Sequence, residues 1–210
     1  MRSLLAALAA LPLVGQSPAP TLDKPVMQPL RDVVVTYRFM DTGDPTDTAP
    51  ERTITVNWAK NGALMRVQIE GEHTYGVFNR TTGRMMMVLL DQRAYIEQPF
   101  DPKRQTGFSV PPGLPLVRGD TSLVSGDACT LWHAKPGYGE TSLCITNEGV
   151  LLSAKASNLD DRGSLVAISV IYSPQPATVF EPPPGFRKLV ITPSAVGARP
   201  AGKPTPTNKP

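Results

Sequence analysis

The sequence has few of the side chains that enzymes use as catalysts. Its 210 residues include only two histidines and two cysteines. We find no G-x-S-x-G nucleophile elbow, H-E-x-x-H zinc motif, phosphate-binding P-loop or dinucleotide fingerprint. His133 is expected to pair with Glu140 on an exposed face, and His73 to lie in a turn. We therefore predict that the protein is not an enzyme and uses no cofactor.

Metal ligands are equally scarce. Two cysteines alone make a poor metal site, because structural zinc usually takes four ligands. The acidic loop at Asp41, Asp44 and Asp47 lacks the glycine and terminal glutamate of an EF-hand, so solvated turn residues are the favoured interpretation over calcium ligands. No metal site is predicted.

No apolar run is long enough to cross a bilayer, which takes about 20 residues. The first apolar run, Leu4 to Val14, follows Arg2 and precedes small and polar residues, as in a secretory signal peptide. We assign residues 1–16 to a signal, with an N-terminal membrane anchor as the alternative. No cysteine follows the run, so a lipoprotein anchor is not expected. The sequence thus predicts a periplasmic or secreted protein without a transmembrane span.

Positive charge is concentrated at one end of the chain. Residues 17–186 carry 15 basic and 18 acidic residues, and five basic residues follow. The body therefore lacks the basic stripe of a nucleic-acid-binding protein. Residues 191–210 are predicted to be a disordered basic tail, with contact to anionic lipid or cell-wall polymer as the alternative.

Helical periodicity is also missing, and alternating apolar residues are typical of strands. We divide the rest of the chain into a Pro-rich leader, 17–30, and a single β domain, 31–190, predicted to be monomeric. The strand patterns predict an all-β protein with about eight to eleven strands and little helix.

Two hairpins have patterns that define a register. Asn61-Gly62 favours a two-residue type I′ turn, which pairs Trp58 with Met65 and Asn57 with Arg66. A second hairpin, closed by Lys135 to Tyr138, would place Cys129 opposite Cys144 and His133 opposite Glu140. Directly opposed residues lie near disulfide reach, so we predict a disulfide between the two cysteines.

The segment Met85 to Leu90 is apolar at six consecutive positions, so both faces of this strand should be covered. One interpretation is a central strand with the core on one side and a packed loop on the other. The alternative is that one face lines an adaptable cavity, since methionine suits varied ligands. The Pro- and Gly-rich loop 99–120 is the predicted cover. The candidate ligand-lining residues are Met85, Met86, Met87, Val88, Leu89, Leu90, Phe108, Leu114 and Leu116.

Several motifs together resemble a group of exported proteins of Gram-negative bacteria related at fold level to the LolA/LolB-type lipoprotein-carrier superfamily. They are RDVVVTYRF, GRMMMVLLDQRAYIEQPFD, VSGDACTLW, LCITNEGVLL and FEPPPGF. The resemblance implies a strongly curved antiparallel sheet, an incomplete barrel whose concave face receives acyl chains. It adds Arg66 to the ligand-lining candidates, because Arg66 stands where the superfamily has an arginine in its early hairpin.

The resemblance and the apolar strand together suggest two functions. The first is a non-enzymatic periplasmic protein that binds a lipid, an acyl chain or another apolar ligand in the concave face. The second is a cell-envelope interaction module with a fully packed core, whose partner is an envelope protein.

Overall fold

Twelve strands form one continuous sheet in the computed structural model of the chain, which describes residues 24–41, 51–102, 108, 113–135, 140–157 and 162–190. The predicted signal peptide, the predicted basic tail and most of the acidic loop after Asp41 lie outside these residues. The sheet is not closed into a barrel, and the described residues include a single 3₁₀ turn and no α-helix. The all-β prediction is confirmed, but the sheet has twelve strands rather than the predicted eight to eleven.

The elements, in chain order, have the following bounds. They are β1 Val33–Asp41, β2 Arg52–Ala59, β3 Leu64–Ile69, β4 Thr74–Asn79, β5 Arg84–Leu89, β6 Ala94–Pro99, β7 Leu116–Val124, β8 Asp127–Ala134, β9 Thr141–Ile145, β10 Leu151–Ser157, β11 Arg162–Tyr172, a 3₁₀ helix Ala177–Phe180, and β12 Arg187–Leu189. The spatial order is β12-β6-β5-β4-β3-β2-β1-β11-β10-β9-β8-β7. All pairs are antiparallel except β12 with β6.

Two of these strands lie in segments that we did not assign to strands. β7 begins at Leu116, inside the stretch expected to be a loop, and continues into a hairpin with β8. Its turn places Ser125 and Gly126 at φ values of 52° and 86°, the left-handed region that a two-residue hairpin turn requires. β12 has only three residues within a proline-rich segment, too few for an alternation pattern to show.

The β2–β3 hairpin has the predicted register. Trp58 faces Met65, and Asn57 faces Arg66. Asn61 and Gly62 have φ values of 54° and 77°, and the Ala63 N–H donates to the Lys60 carbonyl at 3.1 Å. A type I′ turn therefore sets which residues of β2 and β3 meet.

The β8–β9 hairpin has a different register from the one predicted. His133 faces Ser142 rather than Glu140, and Leu131 faces Cys144. The shift is two residues, so every side chain keeps its face while its partner changes. This register places Trp132 opposite Leu143, and both are buried.

The disulfide forms between Cys129 and Cys144, with their Cα atoms 5.4 Å apart. The two cysteines are diagonal neighbours rather than directly opposed, because Leu131 takes the position opposite Cys144. Both are buried in the main core, the cluster formed by buried residues of β1–β3 and β8–β11, so the bond joins two strands inside the packed region.

The sheet is strongly curved where β1 and β7 to β11 surround the main core. Tyr37 on β1 reaches past β11, and its hydroxyl donates to the Leu151 carbonyl at the start of β10 at 2.7 Å. The hydroxyl of Ser125, in the β7–β8 turn, donates to the Ala167 carbonyl of β11, although β9 and β10 lie between β8 and β11 in the sheet. Burial raises the pKa of the Tyr37 phenol, so this group stays a hydrogen-bond donor.

The packed region begins before residue 31, within the segment expected to be a leader. Pro29 is buried, and the Leu30 N–H donates to the Glu148 carbonyl at 2.9 Å. Gln28 packs against two turn glycines, since a Cβ at Gly62 or Gly149 would lie within 2.7 or 2.1 Å of it. Residues 24–32 therefore dock onto the β2–β3 and β9–β10 turns.

Replacing both Cys129 and Cys144 by serine should lower the free energy of unfolding by about 3 kcal/mol, because the bond closes a loop of 15 residues. Urea unfolding under oxidising conditions measures the difference. Adding reductant should bring the wild-type protein to the same stability as the variant. Equal stability of the oxidised wild-type protein and the variant would contradict this expectation.

Candidate binding surfaces on the two sides of strand β5

One row of directly opposed residues crosses seven strands and shows where the core ends. It runs through Val35, Val56, Val67, Gly76, Met87, Ile96 and Leu189. Directly opposed residues share one side of a sheet, and we call the side of Val35 the inner face. Val35 and Val56 are fully buried, whereas Met87 is 41% exposed. The inner face is thus packed at β1 and β2 and open at β5.

The open part of the inner face is apolar. We call it the inner wing surface and define it by Phe78, Met85, Met87, Ile96, Phe100 and Leu189. The Phe78 and Phe100 rings pack edge to face with centroids 5.3 Å apart. Gly76 leaves room for the Phe78 ring, since a Cβ there would lie 3.1 Å from Phe78 Cε2.

A cavity of about 320 Å³ adjoins this surface where β12 ends beside β6. Ile96 and Leu189 belong to both the inner wing surface and the cavity wall. The remaining lining residues are Glu97, Gln98, Pro99, Lys188 and Val190. The cavity therefore continues the inner wing surface at the edge of the sheet.

The opposite side of the same strands is also apolar, and it is covered. We call it the outer wing surface and define it by Ala59, Leu64, Tyr75, Val77, Met86, Val88 and Tyr95. Val88 and Met86 are buried there together with Phe180, and Val179 and Phe186 pack against them. The cover is the segment 173–189, which we call the C-terminal strap.

The covering segment differs from the one predicted. Loop 99–120 was expected to cover Met85 to Leu90, but its described anchors pack elsewhere. Phe108 lies on Tyr37, with ring centroids 5.8 Å apart, and Leu114 and Leu116 also pack against the main core. The strap, rather than loop 99–120, covers the outer face of β5, because Phe180 and Phe186 pack against the outer wing surface.

The predicted ligand-lining residues consequently fall into three groups. Met85 and Met87 lie on the inner face, and Met86 and Val88 on the outer face. Leu90 packs with the outer group, whereas Leu89 is opposite Ala94 on the inner side. Phe108, Leu114 and Leu116 belong to the main core. The structure therefore does not gather the candidates into one site.

Arg66 also lies on the outer face, as the β2–β3 register predicts. Its guanidinium carbon stands 3.9 Å from the centroid of the Tyr75 ring, and Nη2 donates to Gln68 Oε1 at 2.7 Å. Burial raises the pKa of Tyr75, while the nearby Arg66 charge lowers it. Arg66 thus flanks the outer wing surface and does not meet Met85 or Met87.

Residues that sequence reasoning missed complete the inner wing surface. Phe78 precedes the 79–83 turn, and the Phe100 N–H donates to the Gly83 carbonyl in that turn at 2.8 Å. Leu189 reaches the surface only through the parallel β12–β6 pairing. The hairpin register of Tyr75 to Leu90 could have identified Phe78. No local pattern in the sequence indicates the pairing of Leu189 with Ile96.

Polar contacts hold the strap at both ends. The Gln175 N–H donates to Asp32 Oδ2 at 2.9 Å, and Asn57 Nδ2 donates to Gln175 Oε1 at 3.0 Å. At the far end Glu97 accepts from Lys188 Nζ and from Arg84 Nη2, the latter at 3.3 Å. The hydrogen bond from Lys188 is the main cause that lowers the pKa of Glu97.

An exposed ion pair lies where β4 begins and β5 ends. His73, just before β4, pairs with Asp91, just after β5, at 2.7 Å, and both side chains are about 70% exposed. In the described part of the chain, no three His, Cys, Asp or Glu residues gather as metal ligands. None of the helices described there is long and apolar enough to cross a bilayer.

Comparison with solved structures supports the fold. An uncharacterized conserved protein from Thermus thermophilus is similar, with a TM-score of 0.53, 9% identity, and coverage of 76% of this chain and 90% of that one. The MucA/MucB complex of Pseudomonas aeruginosa matches with a TM-score of 0.46 and 16% identity over 70% of this chain and 53% of that one. A Vibrio parahaemolyticus domain classed as an outer membrane lipoprotein-sorting protein matches with a TM-score of 0.35 and 10% identity over 68% and 86%.

The match to the Thermus thermophilus protein supports the fold of this chain. These identities show a shared fold alone, so no ligand or partner is transferred from them. No protein-family model matches the chain, and no relative was found among curated protein sequences.

Acid should loosen the end of the strap. Because the pKa of Glu97 is lowered in the folded protein, its contribution to β12 docking is present above its ordinary value of 4.5 and is lost as pH falls through the lowered value. Amide protection factors of Arg187 and Leu189, measured between pH 6 and 3, should fall. In Glu97→Gln they should be low throughout and independent of pH. A pH response retained in Glu97→Gln would assign it to another group.

Proposed function

We propose that the protein is a non-enzymatic binding protein of the periplasm that holds an acyl chain or similar apolar ligand on the inner wing surface. The observation that carries this proposal is the position of Met87. It is 41% exposed, and the other residues of the inner wing surface beside it are half-buried. Contiguous exposed apolar surface is a common mark of a binding site.

The packed part of the molecule restricts where such a ligand can bind. Val33, Val35, Val56 and Cys144 are fully buried on the core side of the curved sheet. Native interiors of this kind leave few voids larger than a water molecule. Met65, which is also fully buried, lies opposite Phe78, and Phe78 lies opposite Met85. A ligand would therefore bind at Phe78 and Met85, on the side of Met65 away from the core.

Flexible methionines suit this role. Met85 and Met87 are two residues apart on one face of β5, and unbranched thioether side chains can adapt to the shape of a ligand. Gln98 Nε2 donates to Met85 Sδ at 3.2 Å, which holds one of the two in place. The adjoining cavity beside Leu189 would receive the end of the chain.

Export is part of the proposal. The Cys129–Cys144 disulfide favours an oxidising compartment, where structural disulfides persist. The predicted signal in residues 1–16 agrees with this placement, as does the resemblance to exported proteins.

Replacing Met87 by lysine should weaken binding of dansyl-undecanoic acid at least tenfold, because a charge would lie in the middle of the apolar surface. Fluorescence titration measures the affinity. Met40→Lys is the matched control, since Met40 is equally exposed, at 41%, but lies on β1. The control should bind as tightly as the wild-type protein.

Equal affinity of the Met87→Lys and Met40→Lys variants would show that the probe binds elsewhere. Native mass spectrometry gives a second test with protein purified from the periplasm. Ligand-free mass in repeated preparations, together with no uptake of fatty acid or lipopeptide, would contradict the acyl-binding function.

The complete burial of Val33, Val35 and Val56 favours a second function, a cell-envelope interaction module with a packed core. With no ligand chamber needed in the core, the surface and the tail would provide the contacts. Deleting residues 192–210 should then abolish recovery of envelope partners in pull-downs and leave the unfolding midpoint unchanged. Unchanged recovery after truncation would count against this function.

A further inference from the structure

We propose that the outer wing surface is a second binding surface, specific for a short aromatic segment of a partner protein, and that the C-terminal strap occupies it when the partner is absent. The outer and inner wing surfaces lie on opposite faces of β5, and Leu189 is the one residue of the strap that belongs to the inner wing surface. The basis of the proposal is the way in which the strap is seated.

Elements outside the strap build the outer wing surface. Tyr75 and Val77 come from β4 and Met86 and Val88 from β5, and Phe180 of the strap is buried against them. Val88 has no exposed surface, and Met86 is 7% exposed, so the strap shields both from water. The strap thus lies on this surface as a bound peptide would.

Apart from buried Phe180 and the hydrogen bonds of Gln175, the attachments of the strap are few and near the solvent. β12 has three residues, and the 3₁₀ helix has four, with no side-chain hydrogen bond at its N-cap. The Lys188–Glu97 ion pair is 46% and 31% exposed, so solvent screening limits what it adds to the docking of β12. Segments held in this way can open locally while the rest of the sheet stays folded.

The strap also shows what kind of partner would fit. Its two buried or half-buried aromatic residues, Phe180 and Phe186, are six positions apart and precede the strand Arg187–Leu189. That strand adds to the edge of β6 in parallel, with Lys188 beside the Glu97 carboxylate. A partner segment with two such aromatic residues and a following basic and aliphatic strand would make the same contacts, as in peptide recognition by strand addition.

The test uses the full chain and a fluorescein-labelled peptide of residues 174–190. Phe180→Ser and Lys188→Glu each weaken the strap in the protein at a different contact. The peptide should bind both variants at least tenfold more tightly than it binds the wild-type protein, as measured by fluorescence anisotropy. A control peptide with serine at both phenylalanine positions should not bind. Circular dichroism confirms that each variant is folded.

Equally weak binding of the peptide to both folded variants and to the wild-type protein would overturn the proposal, as would equal binding of the control peptide. Displacement of the peptide by fatty acid would assign the surface to lipid instead. A dimer of the Phe180→Ser variant in size-exclusion chromatography would assign it to a second copy of the chain. The Met87→Lys substitution should leave peptide affinity unchanged, which separates this test from that of the inner wing surface.

Discussion

The opposition of residues in neighbouring strands is the constraint on which the rest of the structure depends. Because opposed residues share a face, the side on which Val35 lies fixes the side of Met87, four strands away. Thr36 fixes the side of Val88 in the same way. The inner row is apolar from end to end, whereas the outer row changes from Thr36, Thr55 and Gln68 to Tyr75, Val88 and Tyr95.

This change in the outer row explains why strand β5 is apolar at every position after Arg84. At β4 and β5 the inner face of the sheet continues the main core. The outer face there carries a second cluster of buried residues, which Phe180 of the strap completes. Burying a phenylalanine side chain contributes about 1.5–3 kcal/mol, so Phe180 alone gives the strap an appreciable hold. A single short strand thus borders two apolar surfaces, one covered and one open.

The Asp32 carboxylate, just before β1, accepts hydrogen bonds from both the β2–β3 turn and the strap. Asp32 Oδ1 accepts from the Lys60 N–H at 3.0 Å, and Oδ2 accepts from the Gln175 N–H. The start of the domain, the β2–β3 turn and the beginning of the strap are therefore held together at one point. The far end of the strap is held by the short β12–β6 pairing and the exposed contacts of Lys188, so the two ends differ in how firmly they are held.

The sequence by itself determined the all-β class, the faces of the strands and the register of β2 with β3, because the Asn61-Gly62 turn admits few alternatives. It also identified the Cys129–Cys144 bond. The register of β8 with β9 was decided by tertiary structure, since a shift of two residues leaves the alternation of faces unchanged and only packing of Trp132 on Leu143 distinguishes the two. Tertiary structure also decided that the strap, and not Phe108 or Leu114, covers Met86 and Val88. Such contacts join segments about ninety residues apart in the chain, and local periodicity carries no information about which distant segment will bury a given face.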